Sequence, residues 1–453
     1  MACFAGSASA EPNETVLYTF KGSLSGYSTD GNFPHGGLLQ GPNGSFYGMT
    51  STGGDLTCSA PNGCGTVFQM IPPAHKGGAW TKVILKEFHE MNGIYDGNDP
   101  YYDSVLTSDE NGNLYGTTKG GGAYGGGVAF MLSSPSTGSS GWTYTILHSF
   151  GASGDGYPEG TLFRDAAGNL FGYGGGGSHG GVFELSPPKK QGGPWRETLV
   201  HDFQGGSNDG DTPAGALIEK NGVLYGTTEY GGIRRKGYVC NSYDSTCGTV
   251  FSLTHDPVKG WVESILYKFS AKDSDGANPS GALYMDKDGN LFGTTAGGGS
   301  LGCGGMGCGT AFELSPPVQK GGAWKESIIY TFTGDGGNGY FPGWGQFVAN
   351  AKGELISTTL EGGVQNQECG NIGCGTAYKL TPPSQEGEAW AETVLYAFTG
   401  INGNGNTPNS NLVFGADGGL YGTTWTSDHT RSNCAVAPPF SYDGCGTVFE
   451  VKP

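Results

Sequence analysis

Apolar positions along this chain recur in short blocks, not in helical stripes. One block, with a Leu-Tyr-Gly-Thr-Thr core, occurs seven times: Phe46-Tyr47-Gly48, Leu114-Tyr115-Gly116, Leu170-Phe171-Gly172, Leu224-Tyr225-Gly226, Leu291-Phe292-Gly293, Leu355-Ile356-Ser357 and Leu420-Tyr421-Gly422. A second block, Trp-x4-Leu-Tyr-x-Phe, closes on Phe20, Phe88, Phe150, Phe203, Phe269, Phe332 and Phe398. β-Branched and aromatic residues bounded by Gly, Pro and Asn are strand signals. The apolar runs are nearly continuous, which predicts sheets covered on both faces.

Each repeat reads as four strands. Strand A follows an Asp-Gly-x-x-Pro turn, strand B is the Leu-Tyr-Gly-Thr-Thr block, strand C resembles Gly65-Thr66-Val67-Phe68, and strand D carries the Trp. The chain opens on a lone strand D, Thr15 to Phe20, and closes on a lone strand C, Gly446 to Phe449. An open solenoid wants polar capping repeats, and none is present. The pattern therefore predicts an all-β fold, a seven-bladed β-propeller of four-stranded antiparallel blades in which the N-terminal strand completes the last blade.

Composition sharpens this picture. The 88 glycines show no Gly-X-Y period and fit many short strands joined by tight turns. A net charge of −18 makes a nucleic-acid partner a poor fit, since such binders need a basic surface. No apolar run is long enough to span a bilayer. Residues 1–10 end in Ala8-Ser9-Ala10 and read as a signal-peptide remnant, leaving 11–453 as one propeller domain and a secreted, extracellular or periplasmic location. Of 11 cysteines, ten form local pairs: Cys58/Cys64, Cys240/Cys247, Cys303/Cys308, Cys369/Cys374 and Cys434/Cys445. Their varied spacing and lack of His partners predict disulfides in an oxidising compartment and no zinc site.

The repeat resembles the GloVer tandem repeat family. Gly289-Asn290-Leu291-Phe292-Gly293-Thr294-Thr295 and Gly309-Thr310-Ala311-Phe312-Glu313-Leu314 carry the resemblance, which spans essentially the whole chain after residue 10. It implies an exported bacterial repeat protein and implies no chemistry or catalytic residues.

Strand phase puts the D–A and B–C loops on one rim, the top. The B–C loops of blades 2 and 3 are short, whereas each of the other five is long and holds one cysteine pair. Variable loops on a rigid scaffold are where binding usually sits. Six tryptophans belong to the repeat and read as packing. Trp344 and Trp425 break the pattern in adjacent blades and are candidates for stacking on a sugar face. Just after its Pro, strand A carries irregular polar residues, His35, Tyr101, Tyr102, Asp103, Glu159, Gln346, Asn409 and Asn411, expected around the channel mouth. Trp344, Trp425, Tyr101, Tyr102, Gln346 and Asn409 are the ligand-binding candidates. Asp103 and Glu159, with His35 and His179, are the catalytic candidates, as an acid–base set for a glycosidic bond or for β-elimination. The Asp-Gly turns read as turn chemistry. Asp209/Asp211 and Asp273/Asp275 leave a small share for Ca²⁺. No other cofactor or metal is expected.

Three functional readings follow. The first is a monomeric propeller holding a carbohydrate or cell-surface partner on its top face. The second is a glycoside hydrolase or polysaccharide lyase using the same face. The third is a structural surface module without a site.

Overall fold

The computed structural model describes residues 14–21, 29–34, 36–59, 62–100, 104–135, 141–152, 156–190, 192–234, 240, 246–272, 274–299, 302–319, 321–334, 337–342, 344–385, 388–401, 403–427 and 445–453. Among them the fold is all-β, with two 3-10 turns, no α-helix, and no helix long and apolar enough to cross a membrane. The strands form five four-stranded sheets, one eight-stranded sheet made of two such units, and four two-stranded ribbons. In chain order the four-stranded units are numbered sheets 1 to 7. Sheet 1 runs Leu39–Gln40, Phe46–Thr50, Thr66–Ile71 and Thr81–Glu87. Sheets 3 and 4, beginning at Glu159–Arg164 and Gly210–Lys220, touch through a parallel bridge of those two strands, Thr161 to Ala216. In sheet 7, Val413–Phe414, Leu420–Thr424 and Thr447–Val451 are joined by the N-terminal strand Glu14–Thr19, antiparallel to Thr447–Val451.

The repeated block has a local physical cause at each position. Its Gly lies under the strand C aromatic. A Cβ on Gly293 would stand 2.6 Å from Cζ of Phe312. Sheet 6 instead sets Ser357 opposite a buried Tyr378. The second Thr bonds within its sheet, as in Thr50 to Thr66 (2.8 Å) and Thr359 to Thr376 (2.9 Å). The first Thr bonds to the next sheet. Thr227 Oγ1 donates to Gly281 O (3.3 Å), and Thr423 Oγ1 to Gly36 O (2.8 Å).

The repeat tryptophans also tie sheet to sheet. Trp142 meets Tyr47, Trp261 meets Phe171, Trp324 meets Tyr225 and Trp390 meets Phe292, each reaching the preceding sheet. Trp80 of sheet 1 makes the same contact with Tyr421 of sheet 7. These edge and tilted contacts sit at ring separations where aromatic pairs attract.

The residue before the strand A proline has positive φ in all seven copies: Phe33, Asp99, Tyr157, Thr212, Asn278, Phe341 and Thr407. For a non-Gly residue this costs about 1–2 kcal/mol. Backbone bonds between sheets offset it. Asp99 N donates to Cys64 O, Thr212 N to His179 O, Thr407 N to Cys374 O, and Phe33 N to Cys445 O.

At three of the junctions, strand D side chains meet the residue of the adjoining D–A turn. Asn404 Nδ2 donates to Glu14 (2.9 Å), Lys82 pairs with Asp30 (2.9 Å), and His201 lies between Asp209 (3.5 Å) and Glu263 (4.0 Å). Burial pushes Glu14 up to about 7. Burial, with Asp209 and Asp275 adding repulsion, takes Glu263 to about 8 and Glu326 to about 7.

Candidate functional site

A cavity of about 480 Å³ opens where sheets 3, 4, 6 and 7 converge. That is within the ~300–1,000 Å³ usual for small-molecule sites. Sheet 3 supplies Glu159 from its first strand and Tyr173 from its second. Tyr173 stands where five of the other six repeats have the first Thr, and pairs with Glu159 across the strands. Sheet 4 supplies Thr212 to Gly215 and Glu229, and the seventh repeat supplies Asn406, Thr407, Asn409 and Trp425. The sixth contributes Trp344, Leu360, Glu361 and a loop wall of Glu368, Cys369, Ile372 and Gly373, with the Cys369–Cys374 disulfide closing that loop.

Four carboxylates therefore face one space, in different electrostatic settings. Glu159 pairs with Lys119 of sheet 2 at 3.0 Å. Glu229 is pushed up by burial. The Tyr230 hydroxyl and the Trp344 indole N–H oppose this by donating to it, and Glu159 adds repulsion. Glu361 is also raised by burial, with Tyr340 donating to it. Outside this wall, burial lifts Asp99 to about 6 although Lys119 pulls it down. Asn409 is 5% exposed and its Oδ1 lacks a hydrogen-bond partner among the described residues. Trp425 is half-buried and meets Phe33 edge-on, with ring centroids 6.3 Å apart.

Of the residues singled out from sequence, the structure brings Glu159, Asn409, Trp344 and Trp425 to this cavity. Gln346 and His179 are not among its lining residues, for a physical reason in each case. The Gln346 amide donates to Leu283 O (2.8 Å) and its backbone N–H to Asn411 Oδ1 (2.6 Å), so Gln346 and Asn411 tie neighbouring sheets. His179 Nδ1 pairs with Asp211 at 2.8 Å in the loop of sheet 3. His35, Tyr101, Tyr102, Asp103 and Cys434 lie outside the described residues, as do residues 1–10. The other four cysteine pairs are disulfides: Cys58–Cys64, Cys240–Cys247, Cys303–Cys308 and Cys369–Cys374.

For the cation reading, Asp211 faces His179, while Asp209 accepts from the backbone of Gln204 and Gly210. These two carboxylates are thus committed to separate partners. Asp273 is outside the described residues. His201, Asp209 and Glu263 form a compact group, and Tyr267, Asp275 and Glu326 make the corresponding network one repeat further on. We read it as junction packing.

Sequence reasoning missed Glu229, Glu361 and Tyr173. A signal for Glu229 was present. The residue after Thr-Thr is Ser51, Lys119, Glu229, Ala296, Leu360 or Trp425 in six repeats. Trp425 stood out there by its size, and Glu229 holds the same place.

Fold and cavity together define an all-β tandem-repeat protein of the architecture found in β-propeller enzymes. The chain belongs to the Gloeobacter/Verrucomicrobia repeat family, which matches residues 8–240 and 236–453. No curated protein matches it in sequence. Among solved structures, a PL25 ulvan lyase bound to -[GlcA(1-4)Rha3S]- superposes with a TM-score of 0.52 at 11% identity, covering 96% of each chain. A second PL25 ulvan lyase structure gives 0.51 at the same identity and coverage. The PQQ-bound aldose sugar dehydrogenase of Streptomyces coelicolor gives 0.41 at 14% identity, covering 97% of this chain and 98% of that one. At these identities the likeness is one of fold.

Proposed function

We propose that the protein is an exported, monomeric seven-bladed β-propeller, residues 11–453 forming one domain, that binds a glycan in the cavity at the top of its central channel. The observation that carries this reading is the meeting of two pattern-breaking tryptophans, Trp344 and Trp425, in one cavity with carboxylates and a buried amide. Flat aromatic faces take up the apolar side of a sugar ring, and hydrogen-bonding groups fix its hydroxyls. Ring closure is supported by the strand Glu14–Thr19 in sheet 7, by Phe33 N to Cys445 O, and by Trp80 against Tyr421. Export is supported by the four short-loop disulfides, which form in oxidising compartments.

A second reading, hydrolysis of the bound glycan, draws on Glu159 and Glu229. Glu159 is ion-paired with Lys119, and burial pushes Glu229 toward its protonated form, the form a general acid needs. Lyase action on a uronic acid fits less well. The described lining holds no Lys, Arg or His to neutralise a sugar carboxylate.

A glycan panel read by binding and by product release tests these readings. Wild type should retain at least one glycan, and Trp344→Ala/Trp425→Ala should weaken that binding by roughly ten-fold or more, as loss of two aromatic contacts of ~0.5–1.5 kcal/mol each implies. Product release would move the account to the hydrolase. Silence across a broad panel would remove both carbohydrate readings.

A further inference from the structure

We propose that the ligand of this cavity is a basic amino sugar, a glycan carrying free ammonium groups on its rings. The inference rests on the glycan reading and names its chemical class. Four carboxylates, Glu159, Glu229, Glu361 and Glu368, share one cavity whose described lining holds no basic side chain. Lys119 stands beside Glu159 from outside that lining. The donors that reach Glu229 and Glu361 are neutral: the Trp344 indole, Tyr230 and Tyr340. Neutral donors satisfy lone pairs and leave the buried charge unbalanced, so both carboxyls are pushed toward protonation.

The wall is also rich in acceptors. Besides the carboxylates, the nearly buried Asn409 presents an amide oxygen without a partner among the described residues. An ammonium group is the complementary ligand, offering three donors and no acceptor. Trp344 and Trp425 add surfaces that attract a cation as well as a ring face. A uronate or sulfated sugar meets like charge at the same positions, and an N-acetylated sugar brings an acceptor and no charge.

The choice has a consequence a neutral ligand lacks. An ammonium seated among Glu229 and Glu361 favours their ionised forms, so binding releases protons.

The experiment is titration calorimetry of the full chain near pH 5.5 in two buffers of different ionisation enthalpy. The probes are tetrasaccharides of glucosamine, N-acetylglucosamine and galacturonic acid, with tetralysine as a non-sugar cation. The expected result is binding of the glucosamine tetramer at least ten-fold tighter than either other glycan, with proton release and a marked loss of affinity in 0.5 M salt. Glu229→Gln and Glu361→Gln should each weaken it several-fold and reduce the protons released, with their folding checked by melting temperature. Equal or tighter binding of the N-acetylated tetramer would overturn the amine preference and leave the glycan reading standing. Preference for the galacturonate tetramer would overturn the charge argument. Tetralysine binding as tightly as the glucosamine tetramer would replace the sugar with a cationic peptide. Failure of every saccharide here and in the wider panel would overturn the glycan reading itself.

Discussion

Glu229 and Trp425 sit at the same place in their repeats, next after the Thr-Thr pair: Trp425 directly follows the strand Leu420–Thr424, while the strand Val223–Gly231 carries on through Glu229. That place is tied by backbone to the positive-φ residue of its own copy, as in Trp425 N to Thr407 O and Lys119 N to Asp99 O. The scaffold therefore fixes the main chain and leaves the side chain free to vary, which is how one repeat carries Trp, Glu, Lys and Leu at equivalent points. The repeated glycine of strand B is constrained in the opposite sense. Gly293→Ala places a methyl 2.6 Å from Phe312, whose ring is fully buried. Overpacking of this kind costs about 1–3 kcal/mol. Gly141, with open space around its Cβ position, is the control, and Gly141→Ala should leave stability within about 0.5 kcal/mol. Equal urea midpoints for the two variants would contradict the packing account.

Among the loops, the stapled ones do unequal work. Each disulfide closes a segment of five to seven residues in sequence separation, worth about 2 kcal/mol by chain entropy. Cys369–Cys374 also shapes the cavity wall, whereas Cys58–Cys64 does not line it. Replacing either pair with alanines should lower stability by a similar amount. Only the Cys369/Cys374 variant should lose glycan affinity, by about ten-fold, read in the same titration. The strands and their phase were legible in the sequence because they follow from a motif repeated seven times, and the pairings because each of five loops holds two cysteines close together. The cavity was legible only where a residue broke its motif conspicuously, as Trp344, Trp425 and Glu159 did. Tyr173 hid in a position that five other copies fill with Thr. Gln346, a ligand-binding candidate in the sequence, is placed by the geometry as a tie to Leu283 and Asn411, a use that a polar residue on strand A can have equally well.

At the scale of the whole molecule, the junctions between sheets hold buried acids whose protonation is coupled to folding. Glu14, Glu263 and Glu326 have their pKa values raised in the folded state, chiefly by burial. Between the ordinary carboxylate value near 4.5 and these raised values, the folded chain binds more protons than the unfolded one. Their contribution is full below about 4.5 and is lost as pH climbs through about 7 to 8. The melting temperature should therefore fall by several degrees from pH 5 to pH 9, and Glu263→Gln should flatten that fall. A melting temperature that rises over this range would contradict it. Sheets 7 and 1 are tied in the same way, with Thr423 reaching Gly36 O and Trp80 against Tyr421, and the cavity is lined by sheets 3, 4, 6 and 7. The central claim is that this shared space is where a glycan binds. The most direct measurement is a crystal structure of the protein with the tightest-binding oligosaccharide from the panel. The account predicts a sugar ring against Trp344 or Trp425 with its polar groups on Glu229, Glu361 and Asn409. A sugar bound on the outer strands, with the cavity holding only water, would contradict it.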